Sequence, residues 1–243
     1  MRLRHITFTG IDNRTDIQDL VDIQREFPIA EFGMLASYHW SENGNRFRDP
    51  ALLPDLVNYQ RFLNLSLHVC GSAAHDAAIG NWIDIDLGLL SGHTGIFRRI
   101  QLNVADHRNN PHHLWSPPYG SLQELIVQQH NADDIALFRH TAEIYQGDMT
   151  KDRISVLLDG SGGRGVDTPL KVLHGVGKVG YAGGFNPDNV AEKLQYLLEN
   201  VDSGMFWIDM ESGVRTDDWF DTAKVRRVLC TCRDVINHYS KEN

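Results

Sequence analysis

Three short segments carry the residue types best suited to hold a small anion. They are Leu158-Asp-Gly-Ser-Gly-Gly-Arg-Gly165, Tyr181-Ala-Gly-Gly-Phe-Asn-Pro-Asp-Asn-Val190 and Ile208-Asp-Met-Glu-Ser-Gly-Val-Arg215. Glycine has no Cβ, so ligand oxygens can come close to the backbone and successive N–H groups can point at one anion. A helix that starts beyond such a turn adds partial positive charge. Gly183, Gly184, Ser212 and Gly213 are therefore expected to bind a phosphate, with Gly162 and Gly163 beside them. The plain alternative is that each glycine only closes a tight turn. Three such loops in the last three strand–loop units weigh against it. Upstream, Gln101 and Asn103 share one face of an extended segment, where they either hydrogen-bond a ligand or fill the interior.

Elements must position these loops, and the chain supplies them in a regular order. Short apolar runs recur at His5–Ile11, Glu31–Ser37, Asn64–Cys70, Arg99–Val104, Glu124–Gln129, Ile154–Asp159, Lys178–Gly183 and Met205–Met210. Several are nearly continuous, the pattern of parallel strands buried on both faces. Helical periods lie between some of them. Thr15–Phe27 carries Ile17, Leu20, Val21 and Ile23, with Asn13 or Thr15 as cap. Pro187–Leu198 follows Asn186 as cap, with proline at the first helical position. Asp221–Tyr239 repeats the period through Val225, Val228, Leu229 and Ile236. Eight strand–helix units predict a single (β/α)8 barrel spanning 1–243, the open doubly wound sheet being the alternative. The fourth unit is expected to be irregular, because Ala105–Gly120 holds three prolines and no helical period. Gly71–Gly95 is a second long connection, punctuated by glycine. Ser121-Leu-Gln-Glu124 can start a helix as a capping box, but the β-branched Ile126 and Val127 favour a strand.

Composition narrows the class of partner. With 23 Lys and Arg against 32 Asp and Glu, the chain carries a formal charge of −9. That balance argues against broad nucleic-acid or membrane binding, but not against a small anion held by backbone N–H groups. No apolar run approaches the roughly 20 residues of a membrane span. The apolar stretch near the N-terminus is too short for a signal peptide. Cys70, Cys230 and Cys232 are odd in number and irregularly spaced, a poor disulfide framework, so a reduced cytoplasmic setting is expected. Oligomeric state is left open.

At the three glycine loops the chain resembles the phosphoribosylanthranilate isomerases, (β/α)8 enzymes of tryptophan synthesis. Tyr181–Val190 is similar to that family's leucine-alanine-glycine-glycine-leucine-asparagine-proline-glutamate-asparagine-valine. Asp209-Met-Glu-Ser-Gly-Val214 resembles aspartate-valine-serine-serine-glycine-valine. Leu157-Leu-Asp159 with Gly162-Gly-Arg-Gly165 resembles leucine-leucine-aspartate and glycine-glycine-threonine-glycine. Ile100-Gln-Leu102 resembles the family's fourth strand, and Asn45-Arg-Phe47 an arginine after the second. The strong part covers about residues 154–228.

The resemblance implies an Amadori rearrangement, an aminoaldose phosphate becoming an aminoketose phosphate by general acid–base catalysis without an organic cofactor. Asp159 matches the acid that protonates the ribose ring oxygen, and Arg46 the arginine that binds the substrate carboxylate. The family's base is a cysteine ending the first strand, and Thr9 stands there in Thr9-Gly-Ile-Asp12. A hydroxyl is far less acidic than a thiol, so the base must lie elsewhere. Cys70, ending the third strand, is a replacement. Asp12, Asp209 and Glu211 are others. The missing thiol also admits a binding barrel that has lost catalysis, or one with lyase or epimerase chemistry. Barrel phosphopentose epimerases carry metal-binding histidines on strands two and three; His68 lies on strand three, while His39 only follows strand two and is less well placed. The aspartate those enzymes place on strand seven is absent from Val179-Gly-Tyr-Ala-Gly-Gly184, so no metal is expected. His107, His112 and His113 belong to a polar, proline-rich stretch and are expected at the surface.

Overall fold

A computed structural model describes residues 3–42, 44–103, 122–130, 153–174, 177–202 and 204–242. Eight strands run β1 (Leu3–Thr9), β2 (Ala30–Ala36), β3 (Leu65–Cys70), β4 (Arg99–Asn103), β5 (Glu124–Gln129), β6 (Ile154–Asp159), β7 (Lys178–Ala182) and β8 (Met205–Met210). They pair in chain order, all parallel, and β8 returns to β1 through Ile6↔Ile208, Thr7↔Asp209 and Phe8↔Met210. The sheet closes, so it has no open edge. Every predicted strand is present to within about two residues at its ends. Glu124–Gln129 is a strand, as its β-branched centre requires.

Alternation along each strand gives the barrel two buried faces. The outer face carries Ile6, Phe8, Phe32, Leu67, Ile100, Leu102, Val156, Val179 and Ile208 into the main apolar core, beneath the helices. Those helices are α1 (Ile17–Glu26), α2 (Leu53–Tyr59), α3 (Gly71–Ala78), α4 (Val190–Asn200) and α5 (Thr222–Glu242). Leu20, Val21 and Ile23 of α1, and Val190, Leu194 and Leu197 of α4, are buried as the spacing predicted; Ile17 is only partly buried, and Leu198 joins the α4 stripe.

Three local expectations differ from what forms. The cap of α1 is Asp16, whose carboxylate accepts from Gln18 N. Asn13 and Thr15 sit upstream, where Thr15 Oγ1 instead serves Asp12. Asn186 does accept from Asp188 N and Asn189 N, but these close a turn and α4 starts only at Val190. Gly71–Gly95 is not an open loop. It begins at once as α3, then continues through one π-helical turn (Asp84–Leu89) and a 3-10 turn (Thr94–Ile96). The glycines obscured Ala73, Ala74, Ala77 and Ala78, four small buried residues that let α3 lie close to the sheet. No helix forms among residues 160–174, between β6 and β7. Ala105–Gly120, with its three histidines, lies outside the described residues.

Inside the barrel the filling is mostly polar. Arg99 donates to Glu31 at 2.7 Å and to Glu124 at 2.6 Å, and its guanidinium lies 4.4 Å over the Trp207 ring. Thr7 donates to Glu31, and Ser155 to Glu124. Burial alone would raise both glutamates, but Arg99 beside them holds each below the ordinary carboxylate range. Removing one partner of such a network typically costs about 3–5 kcal/mol, because it strands a buried charge. Above this layer Ile126, Leu157 and Trp207 pack together as an apolar floor. Two residues further along the same strands stand Gln128, Asp159 and Asp209.

Candidate active site

Beyond that floor, at the C-terminal ends of the strands, opens a cavity of about 580 Å³. It brings together Asp159, Cys70, Arg46, Gln101, Gly162, Gly163, Gly183, Gly184, Asp209, Ser212 and Gly213. Strand ends at this face are where barrel chemistry is usually placed.

The three glycine loops meet on one side of the cavity. A Cβ at Gly213 would collide with the Phe185 carbonyl oxygen, and one at Gly165 with Ser212 Oγ. Gly184 is pressed against the Val166–Asp167 backbone, and its φ of +72° suits glycine. The loops after β6, β7 and β8 therefore touch one another. Lys193 of α4 ties them further, donating to Thr168 O at 3.1 Å and Gly183 O at 2.7 Å while pairing with Asp167 at 2.6 Å. Asn189 donates to Gly184 O. Lys193 and Asn189 escaped the sequence reading because, besides Asp167, they bind backbone carbonyls, which no motif displays.

Asp159 ends β6 and accepts four bonds: from Ser161 N (3.0 Å), Ser161 Oγ (2.7 Å), Gly163 N (2.6 Å) and Gln128 Nε2 (2.9 Å). It organises the 160–165 turn as well as facing the cavity. Gln128 was not singled out in the sequence, yet it stands two and four residues beyond the inward Ile126 and Glu124.

Asp209, next to last in β8, has 6% of its surface exposed. Thr9 Oγ1 donates to its Oδ1 at 2.7 Å, and His68 Nδ1 stands 3.9 Å from its Oδ2. Burial raises this carboxyl to about 7. The Thr9 hydrogen bond opposes the rise, and the negative Glu211, Glu31 and Asp159 add to it. Gly33 makes the cluster possible, since its missing Cβ would otherwise lie 2.9 Å from Thr9 Oγ1 and 3.0 Å from His68 Nε2. Burial holds His68 down to about 4, so the ring is neutral, bonded to Gln101 Nε2 and Ser66 Oγ.

Cys70 reaches the cavity wall, where Asn103 donates to its Sγ. Burial, reinforced by Glu211, pushes its thiol up to about 12, so it keeps its proton at neutral pH. Arg46 lies on a 3-10 turn after β2 and is held by Glu211 at 2.9 Å and Asp218 at 3.0 Å. Asp12 is committed elsewhere. It pairs with Arg215 at 2.9 Å and accepts from Phe220 N, Thr15 and Arg14. Arg215 also donates to the Gly10, Asn45 and Asp218 carbonyls, clasping β8's loop to those after β1 and β2. His39 is an exposed side chain beside Glu42, away from His68. Among the described residues, no group of three or more His, Cys, Asp or Glu side chains is placed to hold a metal ion.

The family model for N-(5'phosphoribosyl)anthranilate (PRA) isomerase matches residues 121–230. TrpF from Jonesia denitrificans superposes with a TM-score of 0.56 at 15% identity, over 95% of this chain and 97% of that one. Phosphoribosyl anthranilate isomerase from Thermotoga maritima gives 0.54 at 15% identity, over 96% and 100%. An isomerase solved in complex with reduced 1-(O-carboxyphenylamino)-1-deoxyribulose 5-phosphate gives the same values. The likeness shows the (β/α)8 fold, and the chain resembles these isomerases along nearly its whole length. A search of curated protein sequences finds no match.

Proposed function

We propose that this chain isomerises a phosphorylated aminoaldose conjugate to the aminoketose, in the manner of phosphoribosylanthranilate isomerases. The observation that carries the proposal is the meeting of three glycine turns with two buried carboxyls, Asp159 and Asp209, in one cavity. Backbone N–H groups around Gly183, Gly184, Ser212 and Gly213 receive the phosphate, with Gly162 and Gly163 closing the adjoining wall. Asp159 acts as the acid toward the ring oxygen. To do so it must carry a proton, and Gln128 permits this: its amide, now a donor, can turn to present an oxygen instead. Gln101 and Arg46 line the side that takes the organic half of the substrate. Cys70, which keeps its proton, lines the wall and leaves proton abstraction to a carboxylate. The partner in this reading is a phosphorylated small molecule, and the setting is the cytoplasm. Among the described residues no helix is long and apolar enough to cross a membrane.

The test is incubation with N-(5'-phosphoribosyl)anthranilate, with product followed by NMR. Formation of the aminoketose is expected. Thr9, in place of a thiol, supports a second reading, a barrel that binds the phosphate ligand without turnover. Bound inorganic phosphate at Gly184 and Gly213 with no product would favour that reading.

A further inference from the structure

We infer that Asp209 is the general base of this site and that Thr9 is its positioning residue. The inference rests on the isomerase reading above and assigns a proton-transfer role within it.

Three carboxylates line the cavity, and they differ in what satisfies them. Asp159 receives two backbone N–H groups, a hydroxyl and an amide. Glu211 is paired with the Arg46 guanidinium. Asp209, among the described residues, receives one hydroxyl, from Thr9, and no cation. His68, 3.9 Å away on β3, is a neutral ring held through Gln101 and Ser66. The other ionisable groups facing Asp209 are the carboxyls of Glu31 on β2, Glu211 just after its own strand and Asp159 on β6, none of them a cation. With one donor and no cation beside it, Asp209 is basic for a carboxylate, because neutralising it removes an unfavourable buried charge. A base poised near neutrality is also the most effective one at neutral pH. Thr9 fixes the orientation. Its hydroxyl binds Oδ1, which leaves Oδ2 for the incoming proton, and Gly33 keeps the space that this bond needs.

The step balances without a further reactant. Asp159 gives its proton to the ring oxygen as the nitrogen lone pair forms the C1=N bond, opening the ring to an iminium ion. Asp209 takes the proton from C2. The C–H electron pair becomes the C1=C2 bond, and the C1=N π pair returns to nitrogen, leaving a neutral enolamine. Ketonisation adds a proton at C1 and removes one from the C2 hydroxyl. The proton left on Asp209 and the one spent by Asp159 are exchanged through solvent.

The experiment measures kcat/KM for N-(5'-phosphoribosyl)anthranilate against pH for wild type, D209N and T9V, alongside binding of the reduced product analogue. Wild-type activity should fall as pH drops through about 7, since the base must be ionised. D209N should lose about 10²–10⁴-fold in kcat while binding the analogue within a few-fold. T9V removes a donor that stabilises the charged form, so its acid limb should move to higher pH, a shift that a purely structural role would not produce. Wild-type turnover that survives D209N would overturn the base while leaving the isomerase reading intact. So would a T9V acid limb that does not move. Wild type that leaves the compound unconverted would overturn the isomerase reading itself, and the base with it.

Discussion

At the residue scale, carboxylates that look alike in sequence have been given different environments. Asp159 is bonded to its own loop, and that has a measurable cost for the obvious variant. Asn at 159 keeps one acceptor oxygen and puts an amide where Gly163 N or Ser161 N now donates. D159N should therefore lose about 10²–10⁴-fold in turnover and also weaken inorganic phosphate binding, read by calorimetry, because the 160–165 turn is disturbed. Unchanged phosphate affinity would mean the four bonds do not organise the loop. The sequence made Asp159, Asp209 and Cys70 visible as residues at strand ends. It could not rank them, because ranking depends on which donors arrive from other strands. Thr9 and Asp209 are 200 positions apart, and their bond exists only once β8 meets β1. Cys70 looked reactive from its place at the end of a strand, but its surroundings supply burial and Glu211 rather than a cation.

At the scale of elements, the glycine loops were the most legible feature, and their mutual packing was the least. Each motif names its own turn, while nothing in it says that Gly213 abuts Phe185 of the preceding loop. G213A should force that contact apart. Expected are a loss of about 1–3 kcal/mol in stability and weaker binding of inorganic phosphate, measured by urea unfolding and calorimetry. An unchanged midpoint would show that the loops can separate freely. The strands were readable because parallel strands buried on both faces leave nearly unbroken apolar runs. Helix starts were not, since Asx turns at Asn186 and Asp12 use the same side chains as true caps. The Gly71–Gly95 stretch was misjudged for a related reason. Glycine punctuation suggested open loop, and four small alanines packed it into helix instead.

Across the whole molecule, closure of the barrel was visible in the count of eight runs. The charged interior was not, because a strand buried on both sides does not announce which face is inward. That interior sets how stability responds to acid. His5 and His68 are held by burial to about 4, below the roughly 6.5 of a free imidazole. The folded state thus binds fewer protons than the unfolded chain between these values, and stability falls as pH drops from about 6.5 toward 4. Glu31 and Glu124, held low by Arg99, add further loss as pH falls below the ordinary glutamate range. Asp209 acts in the opposite sense, since its raised pKa favours the folded state as it protonates below about 7. Two histidines against one aspartate leave a net decline. Urea midpoints measured from pH 7 to 4 should fall, less steeply in H5Q and more steeply in D209N. A flat profile would contradict the assigned burial.

The Arg215 clasp has one more consequence. Its guanidinium and the Asp12 carboxylate are almost fully enclosed, whereas Arg46, Glu211 and Asp218 are roughly a third or more exposed. Dissolved ions screen the second group and barely reach the first. Raising ionic strength should therefore loosen the Arg46 rim of the mouth while the seam joining the first and last strands stays shut.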